Sequence, residues 1–313
     1  SARGWFAIIV MGLCAGMPMI ADAIEAPFYQ DVAARMMIWA IAALSLNLIL
    51  GFGGMVSFGH ALYLGIGGYA VGIAAHHEIT NAWVQWPIGL GASALVALVF
   101  GIISLRTRGL YFIMITMALT QMVYFLAVSL DEYGSDDGLV IYERSDFGVE
   151  HFSLDNSVHL YYAIFVCLAL SLFICWRLIE SRFGMVIRGA KSNQIRVEAM
   201  GYRTFYYRLV CFVIAGVMCG AAGLLSANVE TFIRPDTMHW TRSGDLIIMV
   251  VLGGMGTLFG PLYGAAAFLL LEEFLSDVTE HWQIVFGPLL ILVVIFARGG
   301  IAGAVRALEK CRG

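Results

Sequence analysis

The sequence predicts an all-α polytopic membrane protein, a single transmembrane domain over residues 1–313, and three observations carry that prediction. Hydrophobic residues make up 60% of the chain, charged residues 13%, and mean hydropathy is +0.84, which is more apolar surface than one soluble core can hide. The apolar residues gather into about ten stretches, many near the roughly 20 residues that cross about 30 Å of hydrocarbon. Charged residues collect between the stretches in islands of one sign, so the net charge of -4 is a cancellation that says little about partners.

The first stretch, 4–20, reads as a first span or signal anchor, because its apolar run from Trp5 to Ile20 has no small-residue cleavage site of the usual kind. Segments 35–52 and 55–75 follow, parted by Gly53 and Gly54, and then 83–104, which ends at Arg106 and Arg108. Segment 110–129 precedes an acidic loop, 130–157, in which eight Asp and Glu residues face the lone Arg144. Segment 158–177 leads into a basic stretch, 178–207, and 208–227 follows it. Segment 244–256 is short and glycine-rich, as a half-helix or one arm of a re-entrant hairpin would be. The last two, 258–275 and 284–297, lead to a basic tail, 298–313, with Arg298, Arg306, Lys310 and Arg312. Since positively charged loops stay in the cytoplasm, 178–207, the tail and both termini are expected inside, and the acidic loop outside. Cys14, Cys167, Cys175, Cys211 and Cys219 sit in apolar stretches as packing residues and Cys311 lies in the tail, with no disulfide framework and no CxxC pattern.

A weak internal repeat accompanies the segments. The run Gly53-Gly54-Met55 before Ser57, Phe58 and Gly59 resembles Gly253-Gly254-Met255 before Thr257, Phe259 and Gly260. Eight glycines lie between Gly51 and Gly72, each costing a helix interior about 1 kcal/mol relative to Ala. Two readings offset that cost. Small residues let lipid-embedded helices approach closely, or the helices are broken near midplane and present free amides and carbonyls to a substrate path. The doubled segment favours at least one true break. By charge, its two copies run in the same direction across the membrane.

Polar residues within apolar spans are the candidates for that path: Asn47, Gly53, Gly54, Ser57 and His60 at the first break, Thr116, Thr120 and Gln121 on one side of the fifth span, and Gly253, Gly254 and Thr257 at the second break. Each has a bland counterpart. A lone His with no second ligand at i+3 or i+4 is more often a packing residue than a metal ligand, and Asn and Thr more often join helices than bind substrate. Asp245, Glu272 and Glu273 lie near predicted span ends, where water reaches them. No HExxH, GxSxG or GxxxxGK[ST] sequence occurs, so no catalytic or nucleotide site, metal or cofactor is assigned to this chain.

The basic stretch is too polar to span. Residues 177–208 hold seven of the eighteen Lys and Arg residues and only two acids. Ile187, Ala190, Val197 and Met200 recur on one helical face, with Arg188, Ser192 and Arg196 on another, as in a short amphipathic helix at the inner membrane face. Contact with anionic lipid would be a sufficient account of the charge. A surface by which a separate ATPase pushes the membrane domain is the sharper one.

Five blocks in order carry a family resemblance: SLNLILGFGGMVSFGHALYLGIGGYAVGI (45–73), RTRGLYFIMITMALTQMVYFLA (106–127), YGSDDGL (133–139), RFGMVIRGAKSNQIRVEAMGY (182–202) and VLGGMGTLFGPLYGA (251–265). From about residue 35 the chain resembles the membrane subunit of branched-chain amino-acid ABC importers, the LivM-type permeases. That resemblance implies an importer in the bacterial inner membrane, with a second related permease, two ATP-hydrolysing subunits that hold ATP and Mg²⁺, and a periplasmic substrate-binding protein. It implies no nucleic-acid partner. The segment matching 182–202 resembles the coupling loop seated in an ATPase, which nominates Arg188, Asn193, Arg196, Glu198, Ala199 and Gly201. The block at Tyr133–Gly138 keeps only part of the family pattern, which leaves its role open. Related permeases move urea, short amides or other amino acids, and a secondary carrier or channel would also show repeats and glycine breaks.

Overall fold

Helices account for every apolar stretch in residues 27–148 and 156–278, which the computed structural model describes together with residues 12, 16–18, 154, 281, 284–288, 291 and 299–303. Most of the expected segment 4–20, most of 284–297, most of the tail 298–313, Glu150 and Asp155 lie outside the described residues.

Helix α1 (Pro27–Asn47) runs into a π-helical turn at Leu48–Phe52, and α2 (Ala61–His76) begins after eight intervening residues. Then come α3 (Ala82–Ser104), α4 (Leu110–Val128), α5 (Ser157–Glu180), the amphipathic α6 (Arg182–Ala199), α7 (Thr204–Glu230), α8 (Trp240–Gly253) and α9 (Gly260–Val278). Capping side chains fix several starts: Asn81 accepts from the Trp83 amide, Asn156 from Val158 and Ser181 from Gly184. Five helices are long and apolar enough to cross a membrane: α1 with its π turn, α3, α4, α5 and α7. The eight apolar segments expected in this range all fold as helices, but three fall short of a full apolar span. Helix α2 has 16 residues and α8 has 14, or about 24 and 21 Å at 1.5 Å per residue, and α9 carries Glu272, Glu273 and Asp277.

Helices α1 and α7 form the centre. In their most apolar windows 72% and 67% of residues are buried, against 28% and 17% for α3 and α4, whose outward faces are left for lipid. Helix α2 lies along α7 with glycines at the contact: a Cβ on Gly67 would run into the Gly220 carbonyl, and one on Gly223 into the Leu64 carbonyl. Close packing therefore accounts for these glycines, and true breaks for the doubled segment.

The bundle has two chemically distinct ends. At the acidic end, strands β1 (Leu139–Val140) and β2 (Phe232–Ile233) pair antiparallel, Asn81 bridges to Asp146, and Tyr133 meets His77. At the basic end, Thr107 and Arg108 lie beside Gly54, Gln194 and Arg208. Both α1 and α8 run toward the basic end.

Candidate functional site

The two glycine-broken segments, 200 residues apart in sequence, meet. Asn47, fully buried in the last turn of α1, donates from Nδ2 to the Thr257 carbonyl at 2.8 Å and accepts at Oδ1 from the Gly256 amide at 2.9 Å. Both faces of its carboxamide are thus occupied by the second break. Gly254 takes φ 113° and Gly256 φ 72°, in the region that side chains rarely enter, while Thr257 Oγ1 donates to the Gly254 carbonyl at 2.8 Å and tightens the turn. A Cβ on Gly253 would collide with the Gly260 carbonyl, so residues with side chains cannot make this reversal between α8 and α9.

The first break has a different depth from the one expected. Its turn at Gly53 and Gly54, the latter with φ 68°, lies at the basic end rather than at midplane. The non-helical chain then climbs back, so that α2 starts at mid-depth. His60, the residue before α2, accepts a weak hydrogen bond at its carbonyl from Cys219 Sγ at 3.4 Å, near the middle of α7. Gly59 packs so closely on α4 that a Cβ would stand 2.6 Å from both the Thr116 carbonyl and Thr120 Oγ1. The start of α8 comes to the same level: Ser243 Oγ accepts from the Ala61 amide at 3.0 Å, and the Trp240 ring is 6.4 Å from Phe58. Two short helices thus direct their N-termini, each with its partial positive charge, toward the interior.

Of the remaining path candidates, Ser57, His60, Thr116 and Thr120 fall around this junction. His60 is fully buried, with Nε2 2.8 Å from Ser45 Oγ. The Ser45 hydroxyl donates to the Ala42 carbonyl at 2.6 Å, so His60 is the donor and carries its proton on Nε2. Its Nδ1 lone pair then has no partner among the described residues. Ser57 Oγ accepts from the Gly59 amide at 3.3 Å. Thr116 and Thr120 donate to carbonyls of their own helix, Ile113 and Thr116, both at 2.9 Å. Gln121 Nε2 is buried with no hydrogen-bond partner among the described residues. No group of three His, Cys, Asp or Glu side chains among them could hold a metal ion.

Helix α6 docks onto the first break. Asn193 departs from helical geometry (φ -156°, ψ 99°) and divides α6 in two, its Oδ1 accepting from the Arg196 amide at 3.0 Å to cap the second part. Ile187, Ala190 and Val197 are buried as the periodicity predicts. Met200 corrects that reading: it is 64% exposed, because the helix ends at Ala199 and Gly201, with φ 89°, turns the chain away. Arg188 donates to the Ile179 carbonyl at 2.9 Å, tying α6 to the end of α5. Glu198 accepts from Gln194 at 2.6 Å and Thr204 at 2.5 Å, and these hydrogen bonds hold its carboxyl below the usual carboxylate range, with Arg108 and Arg208 adding to the effect. Arg196 and Ala199 are exposed, as is Ile195.

Lys191 is the residue sequence reasoning missed. Its Nζ donates to the Gly51 carbonyl at 2.6 Å, freed by the π turn, and its stem lies over Gly54, where a Cβ would stand 2.8 Å from Lys191 Cγ. A signal existed: Lys191 and Lys310 are the only lysines among eighteen basic residues. A slender ammonium can reach one carbonyl where the wider guanidinium fork cannot. Beside this contact, a cavity of about 180 Å³ opens between the break, Arg108, Gln194 and Arg208.

Comparison with known proteins agrees with this architecture. Residues 28–294 match the family described as "Branched-chain amino acid transport system / permease component". The high-affinity branched-chain amino acid transport system permease protein LivM of Salmonella typhimurium is 26% identical, over 95% of this chain and 76% of its own length. LivM of Escherichia coli K12 is 25% identical over 90% and 72%, and LivH of the same strain 25% over 85% and 91%. No solved structure matches. With one family covering most of its length, including the five helices among the described residues that are long and apolar enough to cross a membrane, this chain belongs to the permease components of branched-chain amino acid transport systems.

Proposed function

We propose that this multi-pass protein moves branched-chain amino acids inward as one permease of an ATP-driven importer, together with a second related permease, two ATP-hydrolysing subunits and a binding protein that delivers substrate from outside. The observation that carries the reading is the family match across residues 28–294. By the positive-inside rule the basic end faces the cytoplasm of a bacterial inner membrane and the β1–β2 end faces out, which puts the exposed Arg196, Ala199 and Ile195 where an ATPase would dock.

On this reading, loaded binding protein docks outside, ATP draws the ATPases together, and α6 is displaced. Lys191 passes that displacement to the first break through Gly51, and Asn47 passes it to the second, so both broken segments move as one unit. The test is uptake of labelled leucine by cells expressing the chain with its partners. Uptake should vanish when ATP hydrolysis by the ATPases is blocked. Uptake that continues on an ion gradient alone would identify a secondary carrier instead.

A further inference from the structure

On the side of the bundle away from α6, an open cavity of about 420 Å³ is lined by α1, α7, α8 and α9 with Leu64 of α2, inside the range of about 300–1,000 Å³ typical of small-molecule sites. Its lining is unexpectedly charged for so apolar a chain: Asp31, Arg35, Glu230, Arg242, Asp245, Glu272 and Glu273 all contribute. Arg35 lies two turns into α1, and Arg242 and Asp245 lie in the first two turns of α8, whose start is at mid-depth. Charges at membrane depth are costly when left to lipid, so a cluster of them around one cavity marks a functional site rather than packing.

Two of the charges are already satisfied. Arg242 reaches Asp236 at 3.1 Å and Asp245 at 3.7 Å. Asp31, Arg35, Glu272 and Glu273 make no hydrogen bond or ion pair with another described residue, and Glu230 has only a 3.4 Å contact from Ser226. Arg35 lies within electrostatic reach of both Glu230 and Glu272. The unengaged set is thus one guanidinium among four carboxylates, with Trp39, Leu64, Met249 and Phe268 supplying an apolar part of the lining.

We propose that this cavity is a transit site for a zwitterionic amino acid, Arg35 receiving its carboxylate, Glu230, Glu272 and Glu273 its ammonium, and the apolar part of the lining its side chain. The inference rests on the amino-acid permease reading and locates the site within it. A carboxylate alone would meet a surplus of negative charge, and a neutral urea or amide would leave every one of these charges unpaired.

The site is tested in membrane vesicles holding the assembled transporter, with Ser276→Cys placed on the cavity wall and labelled by a membrane-impermeant thiol reagent. Leucine at about twice its Kd should slow labelling about threefold by mass action, and 4-methylpentanoate, which lacks the ammonium, should not. Adding Glu272→Gln or Arg35→Gln should abolish leucine protection without changing the labelling rate in buffer, and Arg35→Lys should restore part of it if Arg35→Gln fails to accumulate. Leucine uptake by the unmodified chain is measured in parallel. Normal uptake with no protection, or protection that survives both substitutions, overturns the site while leaving the permease reading intact. Absent uptake overturns that reading, and the site with it.

Discussion

Replacing Asn47 by Ala removes both hydrogen bonds that join the two glycine breaks. The side chain is fully buried, its bonds are 2.8 and 2.9 Å long, and its partners are backbone groups with no side-chain substitute. Interhelical hydrogen bonds in membranes average about 0.6 kcal/mol and reach about 1.7, so losing two costs about 1–3 kcal/mol. A second perturbation reaches the same contact from the other side. In Gly51→Ala the new Cβ would overlap Asn47 Oδ1 and stand 2.5 Å from the Gly256 amide nitrogen, overpacking that costs about 1–3 kcal/mol. Removing the Asn47 side chain relieves the larger clash. The double variant should therefore be less destabilised than the sum of the two, by about 1 kcal/mol, as expected for residues in direct contact. Unfolding midpoints of the purified protein titrated with denaturing detergent give all four corners of the cycle. Stability of Asn47→Ala equal to the parent, or strict additivity in the double variant, would refute the argument that Asn47 clamps the breaks together.

Four further outcomes are expected. Lys191→Met keeps the stem over Gly54 but loses the bond to Gly51; because Lys191 is an exposed residue its effect on stability should stay within about 1 kcal/mol, while uptake per ATP hydrolysed falls severalfold. Arg196→Ala together with Glu198→Ala should leave membrane insertion intact and uncouple ATP hydrolysis from uptake, so normal coupling would remove the case for α6. Glu198, whose carboxyl is held below its ordinary 4.5 by Thr204 and Gln194, should keep the α6–α7 corner closed above that pH and release it only as pH falls through the lowered value; hydrogen exchange of residues 196–206 against pH reads this, and Thr204→Val should move the release upward. Gly67→Ala should sharply reduce folded protein in the membrane because its Cβ meets the Gly220 carbonyl, whereas Gly91→Ala, with open space around it, should be neutral or slightly stabilising by thermal denaturation.

Much of this architecture is legible in the chain. Hydropathy marks the helices from 27 to 278 because transfer into lipid is a local property of each segment, and the family blocks are legible because they are runs of adjacent residues. The amphipathic period of α6 identifies Ile187, Ala190 and Val197 as buried, but misplaces Met200, since periodicity does not register where a helix stops. The doubled glycines announce two breaks. Their depth does not follow, because it depends on where Gly59 meets α4 and Ser243 meets Ala61.

By itself, then, the sequence determined that the chain is a helical membrane permease, which stretches are helical, and that its glycines serve either close contact or reversal. Only the tertiary structure decided which glycines do which, that Asn47 joins the breaks, that Lys191 reaches Gly51, and that Arg35, Glu230 and Glu272 share one cavity. The physical reason is one of range. Partition into lipid and helix formation are settled within about 20 residues, while Lys191 and Gly51 are 140 positions apart, Asn47 and Thr257 210, and Arg35 and Glu272 237, brought together by the shapes of helices packed between them.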